Sequence, residues 1–304
     1  MKRRIAIFTD DPGWHGARLQ EAFAARGCES RFVSLQSCGF DLSGDDCAGL
    51  VLPGFDALPD GAFVRGVPGG ALEQVVLYLD ILHALRRLGV LVYNDARAIE
   101  RSVDKAMTSF LLRRARIPTP PAWVTSDPER ASDIVAQERG AGHVLVLKPL
   151  FGSQGKGVIR VFEPSELPPP EDCNGVYYLQ RFISTGKVSA HDWRVFVIGG
   201  RAVAAMRRCA QGWITNVAQG ATCQPALLDS ELRELAEASA ATLQMHYAGV
   251  DILRDAGGRA SVIEVNSIPA WKGLQQVCAL DVADSLAADF LRCCPAVPVV
   301  EAVG

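Results

Sequence analysis

The feature that most restricts the fold is a change of pattern part-way along the chain. Up to about residue 94, short apolar runs alternate with helical periodicity: strands at 4–8, 30–33, 48–52 and 90–93, and helices at 16–26 and 70–88. The first helix carries Leu19, Ala22 and Phe23 on one face, and the second repeats Leu72, Val76, Leu79 and Leu82. Strands alternating with helices form parallel sheets. From residue 144 onward the strands come in succession, at 144–149, 157–162, 176–183, 193–198 and 201–207, as antiparallel sheets require. A helix capped by Asp229 interrupts them, with Leu232, Leu235, Ala236 and Leu243 on its inner side, and a last helix runs over 282–292. Asp104 caps a further helix that Pro118, Pro120 and Pro121 bring to a stop. The fold class read from this pattern is α/β plus α+β. Open parallel sheets bind ligands beyond the carboxyl ends of their strands, so the Gly/Pro-rich loop 53–70 is a candidate substrate wall.

A chain of 304 residues has room for about two domains and a core that needs no disulfides. Its 31 basic and 34 acidic residues leave a net charge of −3, with no basic patch of the kind nucleic acid or anionic lipid selects. Nine cysteines without a C-x-x-C pair read as buried thiols of a reducing compartment, so the expected location is cytoplasmic. No apolar run reaches the eighteen or so residues of a membrane span, and the run after Lys2-Arg3-Arg4 is too short for a leader. Nucleic-acid and membrane partners are therefore not expected.

Chemistry concentrates in two stretches. Between residues 250 and 268, two strand-like runs flank Asp255-Ala256-Gly257-Gly258-Arg259. A two-residue turn centred on the Gly-Gly pair places Asp251 opposite Glu264, and alternation along the strand puts Asn266 on the same face as Glu264. Like charges facing one another destabilise a sheet, whereas a hard divalent cation such as Mg²⁺ or Mn²⁺ accepts oxygen ligands from such a set. Two acids on a solvated hairpin face account for the pattern equally well. The second stretch, KPLFGSQGKGV at 148–158, sets Lys148 at the end of an apolar strand before a loop containing Gly152, Ser153, Gly155 and Gly157. Glycines let backbone N–H groups approach an anion, and lysines add charge. The stretch is not a Walker loop, because Gly157 follows Lys156 where Ser or Thr is needed, and Arg160 breaks the dinucleotide fingerprint. The five histidines show no H-x-x-x-H pair and there is no G-x-S-x-G elbow. A cation site, a glycine loop and the separate cations Lys105, Lys148 and Arg208 together suit ATP-dependent transfer.

From residue 94 to about 291 the chain resembles the ATP-grasp superfamily, and within it the glutamate-adding ligases of the RimK type. The motifs that carry the resemblance are DKAMTSFLLRRARIPTP, KPLFGSQGKGV, LQRFI, HDWRVFVIGG, AAMRR, the asparagine of WITN, AGVDIL and EVNSIPAWKG. The resemblance implies a pre-ATP-grasp domain over 1–94, a central lobe with the glycine loop over 95–183, and a C-terminal lobe with the metal site over 184–304. It implies that a carboxylate takes the γ-phosphoryl group of ATP and that an amine then displaces phosphate to give an amide. By resemblance, Lys105 and Lys148 contact the nucleotide, Gly152, Ser153, Gly155 and Gly157 cover its phosphates, and Arg181 and Phe182 offer backbone groups to adenine. Asp192 corresponds to a ribose-side acid, Asn216 to a nucleotide-proximal amide, and Asp251, Glu264 and Asn266 to the Mg²⁺ ligands. Arg208 corresponds to the catalytic arginine that steadies the transferring phosphoryl group. The implied partners are a small amino acid and an acceptor carboxylate or amine (a protein tail, a carrier protein, or a pterin or furan coenzyme); the choice between a monomer and a homo-oligomer stays open. Departures from the family pattern fall at Arg181, at Gln219-Gly220-Ala221, and at Pro269-Ala270-Trp271, where Trp271 is either a stacking surface for an aromatic acceptor or a core residue. A nucleotide-binding regulatory protein without turnover and a plain kinase are the competing classes.

Overall fold

The computed structural model describes residues 2–44, 49–152, 154–186 and 190–294. In chain order the elements are β1 (Arg4–Phe8), α1 (Gly13–Ala25), β2 (Glu29–Val33), the short pair β3 (Gly39–Phe40) and β4 (Leu50–Val51), β5 (Gly61–Val64), α2 (Leu72–Arg87) and β6 (Leu91–Tyr93). Then come α3 (Ala96–Val103), α4 (Lys105–Arg114), β7 (Ala122–Thr125), α5 (Pro128–Gly140), β8 (Leu145–Lys148), β9 (Ile159–Val161) and β10 (Tyr177–Arg181). The chain closes with β11 (His191–Ile198), β12 (Arg201–Cys209), β13 (Thr222–Pro225), α6 (Ser230–Thr242), β14 (Tyr247–Arg254), β15 (Ala260–Asn266), α7 (Lys272–Gln275) and α8 (Val282–Cys293).

Contacts divide the chain into two units. The first comprises residues 1–97, 270–275 and 280–304, and the second comprises 98–269 and 276–279. This differs from boundaries at 94/95 and 183/184, because the last helix belongs with the first unit. The reason is packing: the Phe290 ring lies 5.2 Å from Phe23, 5.9 Å from Phe63 and 5.6 Å from Tyr93, so α8 buries its apolar face on residues of α1, β5 and β6. Gly61 makes this possible, since a Cβ there would stand 2.6 Å from the Phe290 ring.

The first unit is built on a four-stranded sheet of order β2-β1-β5-β6, parallel throughout. Two expectations need correction here. The stretch 53–70 is not one loop, because β5 lies inside it as a central strand of this sheet. Its GAFV sequence is buried on both faces and shows no alternation, so only length and flanking turn residues could have marked it. Helix α2 forms as expected but turns a different face inward: Tyr78, Ile81, Leu82 and Leu85 are buried, whereas Leu72 is 76% exposed.

The second unit holds two antiparallel sheets, of order β7-β10-β8-β9 and β13-β12-β11-β14-β15. Helix α5 packs on the first through Ile134 and Val135 against Leu145, Leu147, Val161 and Leu179. Helix α6, capped by Asp229 accepting from Leu232 N–H at 2.9 Å, covers the second through Leu232, Ala236 and Ala240. Asp104 caps α4 as expected, accepting from the N–H groups of Ala106 and Met107. No helix among the described residues is long and apolar enough to cross a membrane, and the eight described cysteines are all free thiols.

Candidate active site

The second unit contains a cleft of about 1060 Å³, including its open side, lined by both of its sheets and by the glycine loop. Lys105, Lys148, Gly152, Gly155, Arg181, Phe182, Asp192, Arg208, Asn216, Asp251 and Glu264 all border it. Gly157 and Asn266 are not among the lining residues, and Ser153 lies outside the described residues.

The strand register builds the polar floor. Across β11, β14 and β15, Arg194 is paired with Asp251 and Asp251 with Glu264, while Asp192 is paired with Arg208 on β12. The expected opposition of Asp251 and Glu264 is present, but by a different route. The turn has three residues rather than two, since Asp255 N–H donates to Arg259 O at 3.0 Å around Ala256-Gly257-Gly258. An extra residue, Ile263, then interrupts the pairing between Ile252↔Val262 and Asp251↔Glu264. The two offsets cancel at the carboxylate pair.

Asp251 is 2% exposed and accepts two bonds from Arg194, each 2.7 Å, while Arg208 Nη2 stands 2.8 Å from its Oδ2. Arg208 in turn grips Asp192 through Nε at 2.7 Å and Nη2 at 2.5 Å, and Thr215 Oγ1 donates to the same carboxylate at 2.5 Å. Burial opposes charge on Asp251, yet Arg194 and Arg208 hold its carboxyl below the ordinary range. Burial likewise opposes charge on Arg208, and Asp251 and Asp192 together raise its pKa. Asp192 is therefore a buried partner of Arg208 and Thr215 on the wall of the cleft. Arg194 completes this ion-pair cluster and was not singled out in the sequence. The available signal was its place two residues after Asp192, on the same face of one strand.

Lys105 Nζ donates to the carbonyls of Gly152 at 2.9 Å and Leu150 at 3.4 Å, which ties α4 to the base of the glycine loop. Lys148 Nζ donates to Gln180 Oε1 at 2.6 Å, Gln180 Nε2 donates to Tyr178 Oη at 3.3 Å, and Tyr178 Oη shares a proton with Ser109 Oγ at 2.7 Å. Gln180 and Ser109 were also missed; a lone glutamine within the apolar run of β10 was the cue. Burial lowers the pKa of both lysines, and the Glu264 carboxylate opposes it in each case. Gly155, at φ +70°, approaches Asn216 so closely that a Cβ would stand 2.8 Å from Asn216 Oδ1. Gln219 Nε2 bonds Gln154 O at 3.3 Å beside it.

The backbone at the end of β10 is partly committed. The N–H groups of Arg181 and Phe182 already donate to Pro121 O and Val144 O, both at 2.8 Å, so what these two residues could present to a base is carbonyl oxygen. The Arg181 side chain turns to Glu138 on α5, with bonds of 2.8 and 3.0 Å. Trp271 is fully buried, so it offers no stacking surface to an acceptor.

The donor set fits a hard cation. Asp251 and Glu264 supply carboxylate oxygens from one row, and Asn266 commits its Nδ2 to Gly249 O at 3.2 Å, which leaves Oδ1 as its acceptor. The positive charge now nearest Asp251 comes from the two guanidinium groups, so a metal would take over part of their role. No group of three His, Cys, Asp or Glu side chains suited to a metal exists among the described residues.

Residues 102–290 match the model of the RimK-like ATP-grasp domain. The chain belongs to the RimK-like ATP-grasp family. Family membership makes it an ATP-dependent ligase that forms amide bonds, in preference to a nucleotide-binding protein without turnover. Among relatives, it is 34% identical to the tetrahydromethanopterin:alpha-L-glutamate ligase of Methanococcus maripaludis over 76% of this chain and 78% of that one. It is 30% identical to the probable alpha-L-glutamate ligase of Thioalkalivibrio sulfidiphilus over 92% of each. In fold it is similar to the ATP-grasp ligase PsnB complexed with a minimal precursor, at a TM-score of 0.73 and 21% identity over 96% of this chain and 99% of that one. PsnB has also been solved with a minimal precursor, Mg and ADP.

Proposed function

We propose that this RimK-like ATP-grasp ligase joins the amine of an α-amino acid, glutamate foremost, to a carboxylate of an acceptor, with ATP cleaved to ADP and phosphate. The observation that carries the proposal is the cleft of the second unit, where Lys105, Lys148 and Arg208 face Glu264 and Asp251 beneath a glycine loop. The names of the relatives favour glutamate as the amino acid and a pterin-type coenzyme as one class of acceptor.

In the first step an acceptor carboxylate oxygen attacks the γ-phosphorus, the bond from γ-phosphorus to the bridging oxygen breaks, and ADP leaves. In the second, the amine attacks the carbonyl carbon of the acyl phosphate, the carbon–oxygen bond to phosphate breaks, and the amine proton passes to solvent. Lys105 and Lys148 supply charge to the triphosphate, Gly152, Gly155 and Gly157 let the loop backbone close on it, and Asn216 steadies the loop. Arg208, fixed by Asp192 and Asp251, presents a guanidinium that needs no reorganisation when charge moves onto the transferring group. Mg²⁺ held by Asp251, Glu264 and Asn266 would neutralise phosphate charge and orient the leaving ADP.

The test is ADP release from MgATP in the presence of L-glutamate and candidate acceptors, with mass spectrometry of the products. One glutamyl residue gained by an acceptor, together with loss of release in Glu264→Gln, is the expected result. Undiminished release in that variant would refute the metal assignment, and a phosphorylated rather than glutamylated product would refute the ligase reading.

A further inference from the structure

A chain of hydrogen bonds runs from the cleft into the wall behind it, and its direction follows from which groups can donate. Tyr178 and Gln180 alternate with Tyr177 and Leu179 along β10, and the register sets Tyr178 opposite Lys148 on β8. Tyr177, Leu179, Leu145 and Leu147 pack with α5, so Tyr178, Gln180 and Lys148 share the other face, where Lys148 and Gln180 line the cleft. Tyr178 is 1% exposed and Gln180 3%, and polar groups buried so deeply need partners. The Lys148 ammonium has hydrogens to give and no lone pair, so the Gln180 amide must turn Oε1 towards it, at 2.6 Å. That leaves Nε2 to donate to Tyr178 Oη at 3.3 Å. Tyr178 accepts there and sends its own hydrogen on to Ser109 Oγ at 2.7 Å. Burial pushes Tyr178 up to about 12, so the phenol keeps that hydrogen at neutral pH. Each bond thus fixes the next.

We propose that Tyr178 and Ser109 are positioning residues that act on Lys148 through Gln180, with α4 as their anchor. Ser109 lies four residues after Lys105 on α4, and side chains at that spacing share a helix face. Lys105 reaches the carbonyls of Leu150 and Gly152 at the base of the glycine loop. One helix, its start fixed by the Asp104 cap, therefore sets both lysines, the first directly and the second through three side chains. A lysine on its flexible four-carbon stem otherwise spreads its charge over several positions, whereas a held ammonium is ready where phosphate charge must be met. The inference rests on the proposed function for the contact between Lys148 and the nucleotide.

Calorimetry of MgATP binding and kinetics of ADP release test it on the full chain, with Tyr178→Phe, Ser109→Ala, Ser109→Thr and the double variant Tyr178→Phe/Ser109→Ala. Tyr178→Phe should weaken MgATP binding about 5–20-fold and raise its KM alike, with kcat within about twofold of wild type. Ser109→Ala should weaken binding about threefold, and Ser109→Thr, which keeps the hydroxyl, should stay within about twofold of wild type. Alanine favours a helix more than serine does, so Ser109→Ala should melt close to wild type, and affinity lost without stability is a result that a merely structural role would not give. Because the chain is serial, the double variant should match Tyr178→Phe alone, whereas independent effects would multiply. Unchanged MgATP affinity in Tyr178→Phe, multiplied effects in the double variant, Ser109→Thr as weak as Ser109→Ala, or a fall in kcat at constant KM would each overturn the positioning role. Affinities that follow the expected pattern with no turnover on any acceptor remove the ligase reading alone. Turnover by Tyr178→Phe at the wild-type KM removes the positioning role alone.

Discussion

At the scale of single residues, the two metal-facing carboxylates differ in how firmly the fold depends on them. Asp251 neutralises Arg194 and Arg208 in the interior, whereas no ion pair involves Glu264 among the described residues. Removing one partner from a buried ionic cluster costs roughly 3–5 kcal/mol, because the remaining charges lose their compensation. Asp251→Asn is therefore expected to lower stability in urea by about that amount, while Glu264→Gln leaves the urea midpoint close to wild type, although both variants lose ATP cleavage. His15 yields a second expectation. Its pKa falls from 6.5 to about 4 on folding, so the unfolded chain binds the proton at higher pH than the folded one. Its contribution is thus complete above pH 6.5 and declines as pH falls from there towards 4. His15→Gln keeps an acceptor oxygen without titrating, and the difference in melting temperature between wild type and variant should shrink over that window. Asp251 and Glu264 could be picked from the sequence because a Gly-Gly turn suggested their register, and Arg208 because it matches a motif of the family. Arg194 escaped notice because an arginine on a strand is commonplace until the register shows what lies opposite.

At the scale of elements, the glycine loop and its neighbour form one device. Gly155 combines a left-handed backbone with a close approach to Asn216 and Ile214, so an alanine there carries a backbone penalty of about 1–2 kcal/mol and displaces the Asn216 amide. Gly155→Ala should weaken MgATP binding about 5–30-fold, read by calorimetry, without altering the melting of the second unit, whose core the loop does not enter. Amphipathic elements were legible to within a few residues: α4, α6 and β12 carry their period or their cap in the sequence, and β1 was marked by its apolar run between Arg4 and Asp10. β5 was not, because a strand buried on both faces has no alternation to detect. The inner face of α2 was misjudged because its apolar residues extend around most of the helix, and packing alone decided in favour of Tyr78 and Ile81. The hairpin shows the opposite outcome, since a wrong turn length and an unseen bulge still left Asp251 opposite Glu264.

At the scale of the whole molecule, the order of residues along the chain is not the order of the units. The first unit takes back residues 270–275 and 280–304, with residues 276–279 of the second between them, and α8 supplies the Phe290 ring that fills the space beside Gly61. Truncating that ring removes packing against Phe23, Phe63 and Tyr93 together. Phe290→Ala is expected to cost about 3–5 kcal/mol, visible as early loss of exchange protection in β1, β5 and β6 while α6 and β14 stay protected. The same return of the chain bears on synthesis. Until α8 has been synthesised, the Phe290 ring that packs on Phe63 and Tyr93 is missing, so that part of the sheet's apolar surface stays open to chaperones or to other nascent chains.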